Sequence, residues 1–400
     1  MTTSTVGATR PYRALDRCPV CGSPPGASVF TAARVPVLCN ELFATAAEAA
    51  AAPTGSIDLV VCPTCGLLWN AAFDESAIAY SPAYENSLHF SPRFRHFATG
   101  LAADLVRRHG LTGATVVEIG SGKGDFLGLL CEAGAARGVG YDPSYDGHAP
   151  ERPGLSFVPA LFPEHEIPDA DFLCARHVFE HLCAPARVLR SVRAAVPTGR
   201  RLSLYLEVPD GAYLLRETAL WDVIYEHPLH FTAPAMTRLF TDAGFSVSRV
   251  DTSFGGQYLS VEGSTDEARP QQLHHTATEP AALAEDFSSR AEAVRSRWSD
   301  RLGHLARDGA TVVLWGAGSK GVSFLATVPA AASVAAVVDV NPRKHGRFLP
   351  VSARRVVGPE QLRAVQPDAV ILLNPIYDGE VRAMLAQVGS GAAVLTDPAP

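Results

Sequence analysis

The sequence predicts an α/β protein in which a small cysteine-rich lobe is followed by two doubly wound units. Three observations support this fold class. Two pairs of cysteines lie near the start of the chain, within residues 18–65. Two later segments, at 115–124 and 310–321, each join a strand pattern to a glycine-rich turn. Strand and helix patterns alternate after both turns, which is typical of parallel sheets covered by helices.

Composition and charge narrow the class of protein. Hydrophobic residues make up 47% of the 400 residues and charged residues 19%, the balance of a chain with buried cores. The formal net charge is −7, so nucleic acid is not an expected partner. The chain shows neither a signal-peptide pattern nor an apolar run near the ~18 residues that cross a bilayer. We expect a cytoplasmic enzyme, monomeric or homodimeric, that acts on a small molecule without a membrane.

The four N-terminal cysteines predict a structural zinc site. They form two C-x-x-C pairs, and a glycine follows each pair: Cys18 and Cys21 before Gly22, and Cys62 and Cys65 before Gly66. A C-x-x-C on a tight turn directs two thiolates to one point, and two such turns complete a tetrahedral sulfur site. Four thiolates leave no open position for catalysis on the metal. The alternative is a pair of redox-active or incidental cysteines.

The first glycine turn indicates a nucleotide-type cofactor site. A β-branched strand containing Glu118 ends at Gly120, and Gly122 and Gly124 follow before a helix. The next strand ends at Asp142, where a carboxylate can hold ribose hydroxyls. This E-x-G-x-G-x-G pattern resembles the S-adenosylmethionine site of class I methyltransferases more than a dinucleotide site. The resemblance assigns Glu118 and the glycines to the methionine end of the cofactor and Asp142 to the ribose.

A second segment, residues 176–182, also resembles part of a cofactor site. Residues 176–182 read R-H-V-F-E-H-L, after a strand predicted at 171–175. This run resembles the segment with which class I methyltransferases line the cofactor pocket. The resemblance places His177 at the cofactor, and His181 belongs to the same run.

The second glycine turn leaves two alternatives open. Residues 315–321 read W-G-A-G-S-K-G, and a strand predicted at 334–338 then ends at Asp339. Taken alone this is a dinucleotide fingerprint with its ribose-binding acid, as in an NAD-dependent oxidoreductase or a sugar-nucleotide binding protein. Such a fingerprint also occurs where the glycines only permit a close strand-to-helix turn.

The densest polar cluster predicts the site of chemistry. Residues 221–231 read W-D-V-I-Y-E-H-P-L-H-F and follow a strand predicted at 202–208, at the ligand-binding edge of the sheet. Tyr225, Glu226 and His227 offer a donor to an oxyanion, an orienting carboxylate and a general base. The alternative is a buried loop histidine with Tyr225 as a packing anchor.

The order of these features predicts four regions. They are a zinc lobe at 1–80, a methyltransferase domain at 81–262, a linker and helix at 263–309, and a C-terminal Rossmann-like domain at 310–400. The polar, turn-rich run 263–280 supplies the linker.

The same order resembles that of C-methyltransferases that act on nucleotide-linked deoxysugars in antibiotic biosynthesis. Those enzymes have a four-cysteine zinc lobe, a central class I methyltransferase domain and a C-terminal Rossmann-like domain. The matching pieces are the four cysteines, V-V-E-I-G-S-G-K-G-D-F-L (116–127), E-V-P (207–209), D-V-I-Y-E-H (222–227), F-G-G-Q (254–257), W-G-A-G-S-K-G (315–321) and V-V-D-V-N-P-R-K-H-G-R-F-L-P (337–350).

The resemblance implies methylation of a carbon beside a ketone, with S-adenosylmethionine as donor and a nucleotide sugar as acceptor. By that resemblance His227 removes the α-proton, Glu226 orients it, and Tyr225 or His181 faces the enolate oxygen. Methylation of oxygen or nitrogen by the same base is the first alternative. The dinucleotide-dependent classes are the second.

Overall fold

The computed structural model of the protein describes residues 15–81, 83–147, 153–163, 169–266 and 278–396. Residues 267–277, most of the predicted linker, lie outside these ranges. Among the helices of these ranges, none is both long enough and apolar enough to cross a membrane.

The strands predicted at 171–175, 202–208 and 334–338 are present, with ends shifted by at most two residues. The strands of the described residues are given in chain order. They are β1 (Ser28–Pro36), β2 (Thr54–Val61), β3 (Leu68–Asn70), β4 (Thr115–Ile119), β5 (Arg137–Tyr141), β6 (Leu155–Val158), β7 (Phe172–Arg176), β8 (Ser203–Pro209), β9 (Leu229–His230), β10 (Ser246–Ser253), β11 (Tyr258–Ser264), β12 (Val312–Trp315), β13 (Ala336–Val338), β14 (Val356–Val357), β15 (Ala369–Leu372) and β16 (Ala393–Thr396).

The α-helices lie between them. They are α1 (Ala46–Ala50), α2 (Pro92–His109), α3 (Asp125–Glu132), α4 (Pro185–Ala195), α5 (Gly211–Arg216), α6 (Ala233–Asp242), α7 (Thr278–Ala284), α8 (Phe287–Arg307), α9 (Ser319–Thr327), α10 (Leu362–Val365) and α11 (Asp378–Gln387). Helical spacing predicts one helix over 281–306, whereas the structure divides this region between α7 and α8.

Three sheets organise the described residues. The central sheet has the order β10-β11-β8-β7-β4-β5-β6, with β4 to β8 parallel and β11 antiparallel to β8. The C-terminal sheet is parallel, with the order β14-β13-β12-β15-β16. Because β7 and β12 are buried along their whole length, both sheets are covered on two faces. The class I methyltransferase and Rossmann-like α/β fold predicted from the sequence is confirmed.

The third sheet joins distant parts of the chain. It is antiparallel, with the order β1-β2-β3-β9, and β9 lies in the polar segment 221–231. The backbone N–H of Asn70 also donates to the carbonyl of Pro228, at 2.8 Å. The cysteine-rich lobe therefore holds the segment that carries His227.

Helix α2 illustrates how local sequence signals set an element. Ser91 caps its N-terminus by accepting the backbone N–H of Phe94, and Pro92 follows at the first position. Gly110 ends the helix in the left-handed conformation, with φ of 65°. The buried face of the helix packs Phe94 and Ala98 towards the central sheet.

Candidate active site

The glycine turn after β4 has the geometry that its sequence predicts. Gly120, Gly122 and Gly124 have φ of 68°, 53° and 83°, a region that side chains other than glycine rarely adopt. A Cβ on Gly120 would also lie 2.2 Å from Cγ2 of Val178. The turn thus packs directly against the segment that follows β7, which brings the two predicted parts of the site together.

Asp142 lies beside this turn. Its Oδ2 accepts the backbone N–H of Gly122 at 2.8 Å, and its Oδ1 accepts the N–H of Ser144 at 2.7 Å. Asp142, which is predicted to bind the ribose, therefore also stabilises the glycine turn at 120–124. Oδ1 also accepts the hydroxyl of Ser144 at 2.6 Å, so Oδ2 is the oxygen that retains acceptor capacity for a ligand hydroxyl.

Glu118 supplies a buried carboxylate at the end of β4. Its side chain is only 3% exposed, and its Oε2 has no hydrogen-bond partner among the described residues. Burial, with smaller contributions from Asp142 and Asp125, raises the pKa of Glu118 to about 8, although Arg176 opposes the shift. An unpaired buried carboxyl suits the ammonium group of an amino-acid moiety, which fits the methionine end of S-adenosylmethionine.

His177 lies between two carboxylates. Its ring nitrogens are 3.5 Å from Glu180 and 3.5 Å from Glu207. Burial opposes a charge on this ring, but the attraction of these two carboxylates prevails and raises the pKa of His177 to about 9. The backbone of His177 is left-handed, with φ of 55°. His177 is therefore a cation at neutral pH, at the carboxyl edge of the central sheet.

His181 and His227 form a pair next to this edge. Their ring centroids are 4.6 Å apart. The Nδ1 of His181 lies 2.7 Å from the backbone carbonyl of Glu226, which can only accept, so this nitrogen carries the proton. The hydroxyl oxygen of Tyr80 is 2.9 Å from the same nitrogen. The position of the His181 ring is thus fixed from two sides.

His227 has a ring nitrogen without a partner. Its Nδ1 is buried and has no hydrogen-bond partner among the described residues. Burial, together with the neighbouring rings of His181 and His230, keeps the pKa of His227 well below its ordinary value. At neutral pH its imidazole is therefore neutral, which is the form that a general base needs.

Glu226 does not contact the His227 ring through its carboxylate. Its Oε1 accepts the backbone N–H of Cys39 at 2.8 Å, and its Oε2 accepts the hydroxyl of Tyr84 at 2.6 Å. The structure therefore does not place this carboxylate where it would orient His227 directly. Its backbone carbonyl instead orients His181.

Tyr225 points away from the histidine pair. Its hydroxyl accepts the backbone N–H of Asp74 at 2.8 Å and donates to the carbonyl of Asp74 at 3.1 Å. Its ring packs against Phe73, with centroids 5.0 Å apart. The expectation that Tyr225 faces an enolate oxygen is not met, because the N-terminal lobe offers the hydroxyl two partners. Of the two alternatives, the packing anchor describes its position.

Two tyrosines reach the site from the segment before α2. Tyr80 contacts His181 across 101 residues of chain, and Tyr84 contacts Glu226 across 142 residues. Tyr80 was not predicted at the site, since only the folded chain brings it there. Glu180 was not predicted to act there either; its carboxylate is buried beside His177, and it is visible in the sequence as part of an E-H pair.

The four N-terminal cysteines converge as their spacing predicts. The Sγ atoms of Cys18 and Cys65 are 3.5 Å apart, and those of Cys21 and Cys62 are 3.4 Å apart. All four lie within 4.8 Å of one another. Four thiols at one point fit a tetrahedral zinc ion, whose bonds to sulfur are about 2.3 Å long.

The C-terminal glycine turn repeats the arrangement of the first turn. The Oδ2 of Asp339 accepts the N–H of Ala317 at 2.7 Å, and its Oδ1 accepts that of Asn341 at 2.8 Å. The buried ammonium of Lys344 donates to the carbonyl of Ala317 at 3.0 Å. This turn is thus held by its own acid and by a lysine that packs beneath it.

Comparison with known proteins identifies the class. Residues 94–250 match the family model "Methyltransferase domain", and residues 267–398 match the model "C-methyltransferase C-terminal domain". Together with the fold and the glycine turn, these matches show that the chain is an S-adenosylmethionine-dependent methyltransferase.

The relatives narrow this class further. The chain is 29% identical to C-methyltransferase NovU of Streptomyces niveus over 392 residues, which covers 92% of each chain. The resemblance to the three-domain C-methyltransferases is therefore confirmed, and the chain is an S-adenosylmethionine-dependent C-methyltransferase.

Solved structures resemble part of the chain. A methyltransferase in complex with the Haloferax volcanii Trm112 activator is 19% identical, with a TM-score of 0.34, over 46% of this chain and 93% of that one. An S-adenosylmethionine-dependent methyltransferase from Mesorhizobium loti is 16% identical, with a TM-score of 0.34, over 42% of this chain and 97% of that one.

Proposed function

We propose that the protein methylates the carbon next to a ketone in a nucleotide-linked deoxysugar or a similar small molecule of natural-product biosynthesis, with His227 as the base. The observation that carries this proposal is the buried, unpartnered Nδ1 of a neutral His227 beside His181. A carbon acid needs a base with an available lone pair, and a neutral imidazole with an unpartnered ring nitrogen can offer one.

The cofactor would be held by the residues around the first glycine turn. Glu118 would receive the ammonium group, the turn at 120–124 would lie along the methionine chain, and Asp142 would accept the ribose hydroxyls. When bound, S-adenosylmethionine supplies the methyl group to be transferred. His177 closes this end of the site as a cation held between Glu180 and Glu207.

His227 would remove the α-proton. Burial and the adjacent His181 and His230 rings keep its lone pair available at neutral pH. General base catalysis of this kind contributes roughly 10²–10⁴-fold to the rate. With Tyr225 directed elsewhere, His181 is the residue that we place beside the developing enolate oxygen. The Glu226 carbonyl and Tyr80 hold His181 in place for that contact.

We further propose that Cys18, Cys21, Cys62 and Cys65 hold a structural zinc ion. Its part would be to fix the lobe of residues 1–80, whose strand β3 pairs with β9. With four thiolates bound, the ion would have no position open for an acceptor.

A nucleotide-linked ketosugar tests the reaction. The protein is incubated with ¹³C-methyl-labelled S-adenosylmethionine and nucleoside-diphosphate 4-keto-6-deoxysugars, and the product is examined by NMR. A new methyl carbon bonded to carbon supports the proposal, whereas a methyl bonded to oxygen or nitrogen refutes C-methylation of that acceptor.

Deuterium exchange separates the base from the transfer. In D₂O without the methyl donor, the wild-type protein should exchange the α-proton of the acceptor for deuterium. In the His227→Asn variant the rate of this exchange should fall by at least about a hundredfold. His96→Asn, on the exposed face of α2, is the matched control. A folded His227→Asn protein that exchanges at the wild-type rate would remove His227 as the base.

A further inference from the structure

Three metal-ligating side chains converge at the histidine pair, far from the cysteines in sequence. One ligand atom each from Glu180, His181 and His227 lies within 4.8 Å of the other two. Tetrahedral zinc with bonds of about 2.0–2.1 Å to nitrogen and oxygen needs its ligands about 3.3 Å apart. Movement of the Glu180 and His227 side chains by about 1.5 Å would bring the trio to that spacing.

Three polar atoms of the trio make no hydrogen bond. They are both carboxylate oxygens of Glu180 and the Nδ1 of His227, which are buried and have no hydrogen-bond partner among the described residues, although Oε1 of Glu180 lies 3.5 Å from the Nδ1 of His177. Glu180 is only 1% exposed. Buried oxygens and nitrogens normally have partners, so unpaired atoms on side chains whose ligand atoms lie within 4.8 Å of one another indicate a ligand that would satisfy them.

The surroundings of His181 match those of a metal-bound histidine. Its Nδ1 donates to the backbone carbonyl of Glu226 at 2.7 Å, which leaves the lone pair on Nε2. A histidine that binds a metal through one nitrogen commonly donates the other N–H to a carbonyl or carboxylate in this way. His181 and His227 are also partly exposed, so an ion from solvent can reach them.

We propose that Glu180, His181 and His227 form a second metal site, which takes a divalent transition-metal ion such as Zn²⁺, Co²⁺ or Ni²⁺ and blocks methyl transfer while the ion is bound. Two imidazoles and one carboxylate are ligands that these ions accept. A neutral imidazole has one basic lone pair, so an ion on His227 removes the lone pair that would take a proton. The blocking step rests on the proposed role of His227, whereas the binding step does not.

Cobalt binding tests the site directly. Co²⁺ is titrated into protein that retains one zinc per chain in its cysteine lobe, and visible absorption is recorded together with metal content. We expect one further Co²⁺ per chain, with d–d absorption and no thiolate charge-transfer band. Absence of this second ion, or a spectrum dominated by thiolate charge transfer, would overturn the site.

Variants identify the ligands. Glu180→Gln should weaken Co²⁺ binding by about tenfold or more, and His181→Gln should do the same if Glu180→Gln fails to fold. The exposed Glu217→Gln is the matched control and should bind as the wild type does. Equal Co²⁺ affinity in a folded Glu180→Gln or His181→Gln protein would reject the assignment.

The blocking step has its own readout. Addition of Co²⁺ should abolish α-proton exchange by the wild-type protein, and dilution should restore it. If Co²⁺ binds the trio but exchange continues at the free-protein rate, His227 is not the base and the blocking step fails while the metal site stands. If no exchange occurs even without metal, the proposed function fails and the binding result is unaffected.

Discussion

The hydroxyl of Tyr84 donates to the buried carboxylate of Glu226 at 2.6 Å and thereby ties the segment before α2 to the residue adjacent to His227. Burial, opposed by this bond and by His181, raises the pKa of Glu226 above its ordinary value. Tyr84→Phe should therefore destabilise the protein by about 1–3 kcal/mol, since a buried acceptor loses its donor. Chemical denaturation measures this loss. Tyr213→Phe, whose ring is only partly buried, should change stability less.

Tyr225 and Tyr80 should have opposite phenotypes. Tyr225→Phe removes both hydrogen bonds to Asp74 and should cost about 1–3 kcal/mol of stability, with turnover of the folded protein nearly unchanged. Tyr80→Phe should keep its stability but lose turnover, because Tyr80 contacts His181. Thermal unfolding and initial rates, measured on both variants, check this pair. A large loss of turnover in a fully folded Tyr225→Phe protein would show that its hydroxyl acts in catalysis.

Gly120→Ala should abolish cofactor binding. The added Cβ would meet Val178 at 2.2 Å and would force a left-handed φ on alanine. Calorimetric titration with S-adenosylhomocysteine should show at least a tenfold loss of affinity. Val178→Ala in the same chain relieves the contact but not the φ, so only part of the affinity should return. Gly100→Ala, where an added Cβ meets open space, should bind normally.

Cofactor binding should release a proton near neutral pH. With a pKa of about 8, Glu118 is mostly protonated in the free protein at pH 7. The cationic ammonium group favours the ionised carboxylate, so affinity should rise with pH up to about 8 and level off above it. Calorimetry of S-adenosylhomocysteine binding in two buffers of different ionisation enthalpy counts the protons. Glu118→Gln should eliminate this contribution, and the exposed Glu285→Gln should retain it.

Loss of the cysteine cluster should reduce the protection of residues 226–230 against hydrogen exchange. Cys62→Ser removes one of the four converging thiols, and the lobe that contains it pairs β3 with β9. Hydrogen exchange at 226–230 should accelerate, while exchange in the C-terminal sheet stays unchanged. Cys131→Ser, outside the cluster, is the control for thiol loss. Unchanged protection of 226–230 in a zinc-depleted Cys62→Ser protein would separate the lobe from the site.

Local patterns predicted the parts of the molecule that local physics determines. The glycine turn at 120–124 could be predicted because only glycine adopts its φ values without strain, and β5 then places Asp142 beside it. The cysteine cluster could be predicted because metal-ligand spacing is encoded within four residues.

The remaining parts depend on contacts between distant segments. Cys39 reaches Glu226 across 187 residues, and no periodicity in the sequence records that contact. The direction of Tyr225 could not be predicted either. Tyr225 is next to Glu226 and His227 in the sequence. Its hydroxyl, however, forms hydrogen bonds with the backbone of Asp74, which lies 151 residues away. Side-chain direction at such a residue is decided by the element that packs on it, not by the motif that contains it.

The pairing of β3 with β9 also sets the order in which this chain can fold during synthesis. Leu68 of β3 cannot pair with His230 of β9 until His230 has left the ribosome, about 160 residues later. At 5–20 residues per second this delay is on the order of ten seconds or more. Through that interval β3 is an uncovered sheet edge, which is a surface prone to aggregation. A chain stopped before residue 229 should therefore be poorly soluble, and expression should depend on chaperones that shield nascent edges.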